Sequence, residues 1–180
     1  MNAPQTPTQL EPLLLEARSA EGVVTLTLNR PAQFNTLSEE MLAALQGAVS
    51  RLANDKAARV VVIAGAGKAF CAGHDLKQMK SNPRREYYEK LFADCANLML
   101  AMQRLPQPVI ARVHGVATAA GCQLVAMCDL AIAAENARFG VNGIDVGLFC
   151  SSPSVALARN VGRKQAFEML VTGEFLDAAW

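Results

Sequence analysis

Two almost uninterrupted apolar runs, VVVIAG (60–65) and VIARV (109–113), constrain the fold more than any other feature of the sequence. Runs of this kind are buried on both faces, which is typical of parallel strands covered by helices. LAIAAE (130–135) is typical of a third strand, and helical patterns separate the three. Strand, crossover helix and strand in succession predict a parallel α/β sheet.

The flanking segments predict a hairpin and further helices. Strand-forming runs at 13–18 and 23–30 are joined by a short turn, and Ser38 is a suitable N-cap for an amphipathic helix over 38–54. Helical patterns also occur over 84–104, after the small-residue stretch 115–121, over 163–171 and from near Asp177. Because the chain ends inside this last element, we expect a core over 13–180 that is truncated before further C-terminal helices, and a flexible tail over 1–12.

Composition and charge exclude several classes of function. The chain has 180 residues with 52% hydrophobic content, enough for one substantial core, and its 17 Lys and Arg against 16 Asp and Glu leave a net charge of +1. That balance provides no field to attract nucleic acid, so an anionic ligand needs a local basic patch. No apolar run is long enough to span a membrane, no secretory signal is recognisable, and the five cysteines form no CxxC pair. We therefore expect a cytoplasmic protein with free, buried thiols.

Two loops rich in small residues are the candidates for a binding site. Residues 65–76 and 114–121 follow the first two apolar runs, and ligands of α/β sheets bind beyond the carboxyl ends of strands. Gly and Ala let backbone amides approach a ligand, and two converging amides form an oxyanion hole. Close packing of a helix on the sheet explains the same composition equally well. GAGKAF lacks the residues of a phosphate-binding loop, and Cys71 with His74 supplies only two ligands, so no metal site is predicted.

Four segments resemble the enoyl-CoA hydratase/isomerase (crotonase) family: NRPAQFNTL (29–37), GAGKAFCAGHDLKQM (65–79), HGVATAAGCQLVAMCDLAIA (114–133) and FGVNGIDVGLFCSSP (139–153). The resemblance covers the chain from about residue 13 to its end and is greatest to the subgroup called enoyl-CoA hydratase domain-containing protein. It implies the crotonase-like spiral of ββα units of the ClpP/crotonase superfamily, acyl-CoA thioesters as ligands, and assembly into a homotrimer or hexamer. It implies no cofactor, since coenzyme A is part of the substrate.

The resemblance also implies an active site. Its two oxyanion amides correspond to the backbone N–H groups of His74 and Ala120, the latter within AAG (119–121) where relatives often carry GGG. The two glutamates that handle water in hydratases of the family correspond to Gln123 and Gly143, and neither residue can transfer a proton. General acid–base catalysis is worth roughly 10²–10⁴-fold for each group, about 3–5 kcal/mol, so we expect hydration by the two-glutamate route to be inefficient.

Asp145 is the carboxylate nearest to these positions in the sequence. If the segment is extended, residues 143 and 145 face the same way, and Asp145 can project toward the cavity as a base. The alternative is that Asp145 caps a turn or a helix. Cys150 stands where some ring-forming relatives carry an aspartate, and the alternative for Cys150 is a structural thiol.

The resemblance implies a path for coenzyme A along the first loop. A basic cluster of Lys77, Lys80, Arg84 and Arg85 follows that loop, and phosphate binding and a solvated helix face are the two interpretations of it. The implied coenzyme A contacts are Arg30, Lys68, Ala72, His74, Asp75, Leu76, Lys77, Lys80 and Arg84.

Two functions of different classes follow. The first is an enzyme that stabilises a thioester enolate, with proton transfer by a single or unusual group. The second is a catalytically impaired protein of the same fold that binds acyl-CoA, which the loss of both glutamates favours. An RNA-binding relative would need a strongly basic helix, and the sequence has only the four-residue cluster.

Overall fold

From the third strand onward, strands of two sheets alternate along the chain. The computed structural model describes residues 11–180. The strands are β1 (Leu14–Arg18), β2 (Val23–Leu28), β3 (Val60–Gly65), β4 (Ala69–Cys71), β5 (Val109–Val113), β6 (Val116–Thr118), β7 (Leu130–Ala133), β8 (Arg138–Gly140) and β9 (Leu176–Asp177). The helices are α1 (Glu39–Leu52), α2 (Leu76–Ser81), α3 (Arg85–Gln103), α4 (Ala120–Ala126), α5 (Ser151–Asn160) and α6 (Arg163–Thr172), with 3-10 helices at Pro31–Gln33 and Asn142–Val146. The tail predicted over 1–12 lies, apart from residues 11 and 12, outside the described residues.

The first sheet contains the long apolar strands, in the order β1-β2-β3-β5-β7. β1 and β2 form the predicted antiparallel hairpin, and every other neighbouring pair is parallel. Val61 lies opposite Val109 in the register of β3 and β5, and both side chains are buried. The prediction of a parallel α/β sheet is therefore confirmed.

The second sheet is built from the short strands, in the order β4-β6-β8-β9. β4, β6 and β8 are parallel neighbours, and β9 pairs antiparallel with β8. Each long strand of the first sheet from β3 onward is followed by a short strand of the second sheet and then by a helix. Three successive ββα units result, which confirms the predicted crotonase-like spiral.

Every α-helix except α2 contains buried residues. Ser38 is the N-cap of α1, because its hydroxyl oxygen accepts the Met41 N–H at 3.2 Å. Met41 and Leu45, four residues apart, are fully buried, and burial of each such side chain contributes about 2 kcal/mol. α1 packs against α3, whose length agrees with the helix predicted over 84–104. α6 ends at Gly173, which has φ 69° as the C-terminal cap.

Three local predictions need correction. The segments 65–76 and 114–121 were predicted as loops, but each contains a three-residue strand of the second sheet, which is too short to show a period in the sequence. The helix predicted from Asp177 is not formed within residues 177–180; Asp177 instead ends β9, although its carboxylate accepts the N–H groups of Ala179 and Trp180 as a helix cap does. Over the described part of the chain, no helix combines the length and the apolar character that a membrane crossing requires.

Candidate active site

The predicted site residues lie at one edge of the second sheet. β4, β6 and β8 are adjacent and parallel, so their carboxyl ends share that edge. His74 follows β4 by three residues, Ala120 follows β6 by two, and Gly143 follows β8 by three. The fold thus brings together the two amide positions and one of the two former glutamate positions, which are distant in the sequence.

The segments after β4 and β6, which we call the first and second amide loops (residues 72–75 and 119–121), are in direct contact. Gly73 has φ +83°, and a Cβ placed on it would lie 3.0 Å from Ala119 Cβ and 3.1 Å from Ala120 N. A Cβ on Gly121 would lie only 2.1 Å from the Cys71 carbonyl oxygen. Glycine is required at both positions because the two backbones touch there.

Neighbouring segments hold both amide loops in place. The Leu37 N–H donates to the Gly73 carbonyl at 2.7 Å, and the Ala119 N–H donates to the Gly140 carbonyl at 2.9 Å. Within the described residues, no hydrogen bond uses the backbone N–H of His74, and that of Ala120 begins a helix and so has no partner inside it. Two unused donors at a contact between loops match the arrangement of an oxyanion hole.

Ala119 has a backbone conformation that alanine rarely adopts. Its φ of 50° and ψ of −121° lie in a region populated mainly by glycine, and the conformation turns the chain from β6 into α4. Such strain costs about 1–3 kcal/mol and persists only where the surrounding structure imposes it. The strained residue immediately precedes the second amide.

The His74 side chain is directed away from solvent. Its Nδ1 lies 3.4 Å from the Leu37 carbonyl oxygen, and its ring meets the edge of the Phe92 ring of α3 at a centroid distance of 5.3 Å. Burial lowers the pKa of His74 from 6.5, and the Leu37 carbonyl partly opposes this by favouring the protonated ring. The neutral ring therefore packs between α3 and the first amide loop.

Gln123 occupies the first turn of α4 and is 7% exposed. No hydrogen bond joins its side-chain amide to another described residue, and its polar atoms are not among those sealed from solvent. An unpaired amide in a nearly buried residue is available to a ligand or a water molecule. It carries no group that can transfer a proton.

Gly143 has no room for a side chain. A Cβ on Gly143 would lie 2.6 Å from the Leu148 carbonyl oxygen and 2.8 Å from Cys150 Sγ. The position therefore differs from the glutamate of hydratases in shape as well as in chemistry. Cys150 is half-buried, and burial raises the pKa of its thiol, as expected for a packed side chain rather than an activated nucleophile.

Of the two alternatives for Asp145, the extended segment that would direct its side chain toward the cavity is not formed. Residues 142–146 form a 3-10 helix instead of an extended segment, so residues 143 and 145 do not share a face. Asp145 is exposed, and its Oδ2 accepts the side-chain Nδ2 of Asn142 at 3.4 Å. Its role as a base stays a prediction.

The predicted coenzyme A contacts surround the first amide loop in different ways. Asp75 is the N-cap of α2, since its Oδ1 accepts the N–H groups of Lys77 at 2.9 Å and Gln78 at 3.1 Å. The Ala72 N–H donates to the Phe34 carbonyl at 3.0 Å. The remaining side chains are exposed and form no salt bridge with another described residue: Arg30, Lys68, Leu76, Lys77, Lys80 and Arg84. Arg85, by contrast, pairs with Glu89 at 2.7 Å.

Sequence reasoning did not single out two polar groups that shape the site. Asn35 is fully buried with φ 55°, and its side chain bonds to the Arg30 N–H and to the carbonyls of Ala66 and Ala69. Its tolerance for positive φ, directly after Phe34, was the available signal. Thr118 and Asn142 form the second group. No pattern in the sequence predicts the hydrogen bond between their side chains, which are 24 positions apart.

A separate cavity of about 350 Å³ lies beside α4, with Cys122, Val125, Leu157 and Met169 in its wall. Its lining includes neither His74, Ala120 nor Gln123. The cavity is therefore distinct from the contact between the amide loops.

Two alternating sheets, ββα units and amide loops at the carboxyl edge define a crotonase-like α/β protein. The family model described as enoyl-CoA hydratase/isomerase matches residues 18–179. The chain belongs to the enoyl-CoA hydratase/isomerase family.

Curated and solved relatives agree with this assignment. Enoyl-CoA hydratase domain-containing protein 3, mitochondrial, of Xenopus laevis is 48% identical over 87% of the chain and 53% of its own length. The structure of an enoyl-CoA hydratase of Mycobacterium smegmatis has a TM-score of 0.92 and 72% identity, covering 94% of this chain and 66% of that one. The human domain-containing protein 3 has a TM-score of 0.89, with 43% identity over 93% of this chain and 66% of its own. The chain spans about half the length of the curated relatives it matches first.

Proposed function

We propose that this chain binds acyl-CoA thioesters and stabilises the enolate that forms at C2 of the acyl group, as part of an enzyme of the hydratase/isomerase type. The observation that carries the proposal is the contact between the amide loops, with the N–H groups of His74 and Ala120 unused by the described protein. A thioester oxygen gains negative charge as C2 loses a proton or C3 accepts a nucleophile. Two fixed amide donors at that oxygen are worth several kcal/mol.

The names of relatives support an acyl-CoA thioester as the ligand. A 36% identical relative from Escherichia coli, which the chain covers over 61% of its length, is named 2,3-dehydroadipyl-CoA hydratase. Phosphate binding fits the exposed cations Lys77, Lys80 and Arg84, which follow the first amide loop and have no ion-pair partner among the described residues. Assembly into a homotrimer or hexamer and a cytoplasmic location stay predictions.

A second candidate is an acyl-CoA-binding protein with little catalysis. The crowding at Gly143 favours it, since the second carboxylate of the hydratase route has no space there. Both candidates share thioester binding and differ in whether C2 exchanges its proton.

The two candidates separate in deuterated water. The protein is incubated with butyryl-CoA and with crotonyl-CoA, label at C2 is followed by mass spectrometry, and binding of each thioester is measured by calorimetry. Label incorporation supports the enzyme, and its loss in Asp145→Asn shows that the exchange requires the Asp145 carboxylate. Binding without incorporation supports the binding protein, whereas absence of binding contradicts both.

A further inference from the structure

Three polar side chains, joined by hydrogen bonds, lie at the edge of the second sheet beside the second amide loop. The Thr118 hydroxyl donates to Asn142 Oδ1 at 2.5 Å, and Asn142 Nδ2 donates to Asp145 Oδ2 at 3.4 Å. Thr118 and Asn142 are both partly buried, whereas Asp145 is exposed. These hydrogen bonds link the end of β6 to the 3-10 helix that contains Gly143.

The direction of these hydrogen bonds is determined by Asp145. An ionised carboxylate only accepts hydrogen bonds, so it selects the NH₂ side of the Asn142 amide and leaves the carbonyl side for Thr118. The Thr118 hydroxyl therefore donates its only proton to Asn142. A hydroxyl that donates its single proton in this way keeps its lone pairs for an external donor, and no described residue donates to Thr118 Oγ1.

Thr118 lies next to the reacting centre of the proposed function. It directly precedes the strained Ala119, and its carbonyl oxygen lies 3.1 Å from the position of a Cβ on Gly73 in the first amide loop. In β6 the side chains alternate, so that Ala117 is fully buried in the core while Thr118 faces Asn142 on the other side. At the other end of the pair, Asn142 immediately precedes Gly143, the position with no room for a carboxylate.

We propose that the Thr118 hydroxyl oxygen holds the water molecule used at C3 of an unsaturated acyl thioester, and that Asn142 and Asp145 are positioning residues for that hydroxyl. The inference rests on the proposed function and deepens it. Water adds across the C2–C3 double bond, its oxygen at C3 and a proton at C2, while the two amides hold the thioester oxygen. No oxidant or further reactant is needed. Thr118 acts by accepting a hydrogen bond from the water and does not take the proton itself.

The test compares variants in the hydration of crotonyl-CoA, followed by loss of the enoyl absorbance, with binding measured separately. Thr118→Val keeps the β-branched shape and removes the oxygen, and we expect kcat to fall about 10-fold with KM changed less than about 2-fold. Thr118→Ser restores the oxygen and most of the rate. Asn142→Ala removes the bond that orients the hydroxyl and gives an intermediate kcat. Thr25→Val, in β2 of the first sheet, is the matched control and leaves kcat unchanged.

The outcomes separate this inference from the proposed function. A parental kcat in Thr118→Val, or a loss that Thr118→Ser does not reverse, overturns the role of the hydroxyl and leaves thioester binding and enolate stabilisation standing. If Thr118→Val raises KM and lowers thermal stability to the same extent as it lowers kcat, the role of Thr118 is purely structural. That result also overturns the inference. Binding of crotonyl-CoA without hydration by the parental chain overturns the inference, whereas the catalytic half of the proposed function fails only if C2 of butyryl-CoA also exchanges no proton.

Discussion

The amide side and the proton-transfer side of this site differ in how they depend on the sequence. On the amide side, His74 and Ala119 carry side chains unlike the small or glycine residues that the family often has there, yet the two amide loops are in direct contact. On the other side, Gln123 and Gly143 occupy the two positions to which the family resemblance assigns carboxylates. Backbone chemistry tolerates exchange of side chains as long as glycine remains where backbones touch, whereas proton transfer is lost with the side chain that performs it.

The proton-transfer side is itself uneven. Gln123 extends from a regular helix with its amide unpaired, so a carboxylate of the same size fits the same space. Gly143 is surrounded by Leu148 and Cys150, so no side chain fits without movement of the loop. A carboxylate can thus be introduced by mutation at Gln123 but not at Gly143.

The largest expected effect comes from separating the amide loops. In Gly121→Ala the new methyl group would lie 2.1 Å from the Cys71 carbonyl oxygen, so one loop must move. We expect the free energy of unfolding to fall by at least about 3 kcal/mol, with loss of thioester binding. Urea unfolding and calorimetry with butyryl-CoA measure both.

Gly47→Ala is the control for Gly121→Ala. Gly47 lies inside α1, and its nearest neighbour to a new Cβ is Arg51 Nη1 at 3.8 Å, an ordinary contact. We expect a gain of about 1 kcal/mol from helix propensity. Similar losses in the two variants would contradict a specific role for the loop contact.

The next effect tests the two halves of the proton-transfer side against each other. Gln123→Glu restores a carboxylate on α4, and we expect hydration of crotonyl-CoA to rise at least about 10-fold, since a positioned acid–base group contributes more than this. Gly143→Glu is expected to give no gain and to lower the unfolding midpoint because of the contacts at 2.6 and 2.8 Å. A rate increase in Gly143→Glu would show that the loop over residues 147–150 moves aside readily.

The uneven predictability of the molecule has a physical cause. Apolar periodicity decided the first sheet, α1 and α3, because burial of whole faces leaves a strong sequence pattern. The strands β4 and β6 lie in segments that were predicted as loops, since a strand of three residues is too short to show a period. The two alternatives for Asp145 could not be separated for the same reason, because a single 3-10 turn around Gly143 is also too short to show a period. The contact of Thr118 with Asn142 depends on tertiary packing and leaves no local signal.

A smaller effect, with the opposite sign, is expected at Ala119. Ala119→Gly relieves a φ of 50° that costs alanine about 1–3 kcal/mol, and it adds about 0.5–1 kcal/mol of chain entropy to the unfolded state. We expect a net stabilisation of about 1 kcal/mol in urea unfolding. Ala44→Gly in α1 has no such strain to relieve and should lose about 1 kcal/mol. Destabilisation of both variants would mean that the loop accommodates alanine without strain.

The smallest expected effect is the dependence of stability on pH through His74. Burial lowers the pKa of His74 below 6.5 in the folded protein, so the unfolded chain binds more protons once the pH falls below that value. The contribution of the neutral His74 ring to the free energy of unfolding is therefore fully present above the pKa of the unfolded chain. It declines as the pH falls through that pKa, and the decline ends below the pKa of the folded protein. Carboxylates with lowered pKa, such as Glu40, lose their contribution only below about 4.5, which separates the two windows. His74→Gln should abolish the decline that begins as the pH falls through about 6.5 in urea unfolding curves. If the decline persists in His74→Gln, the His74 ring that packs against Phe92 does not cause it.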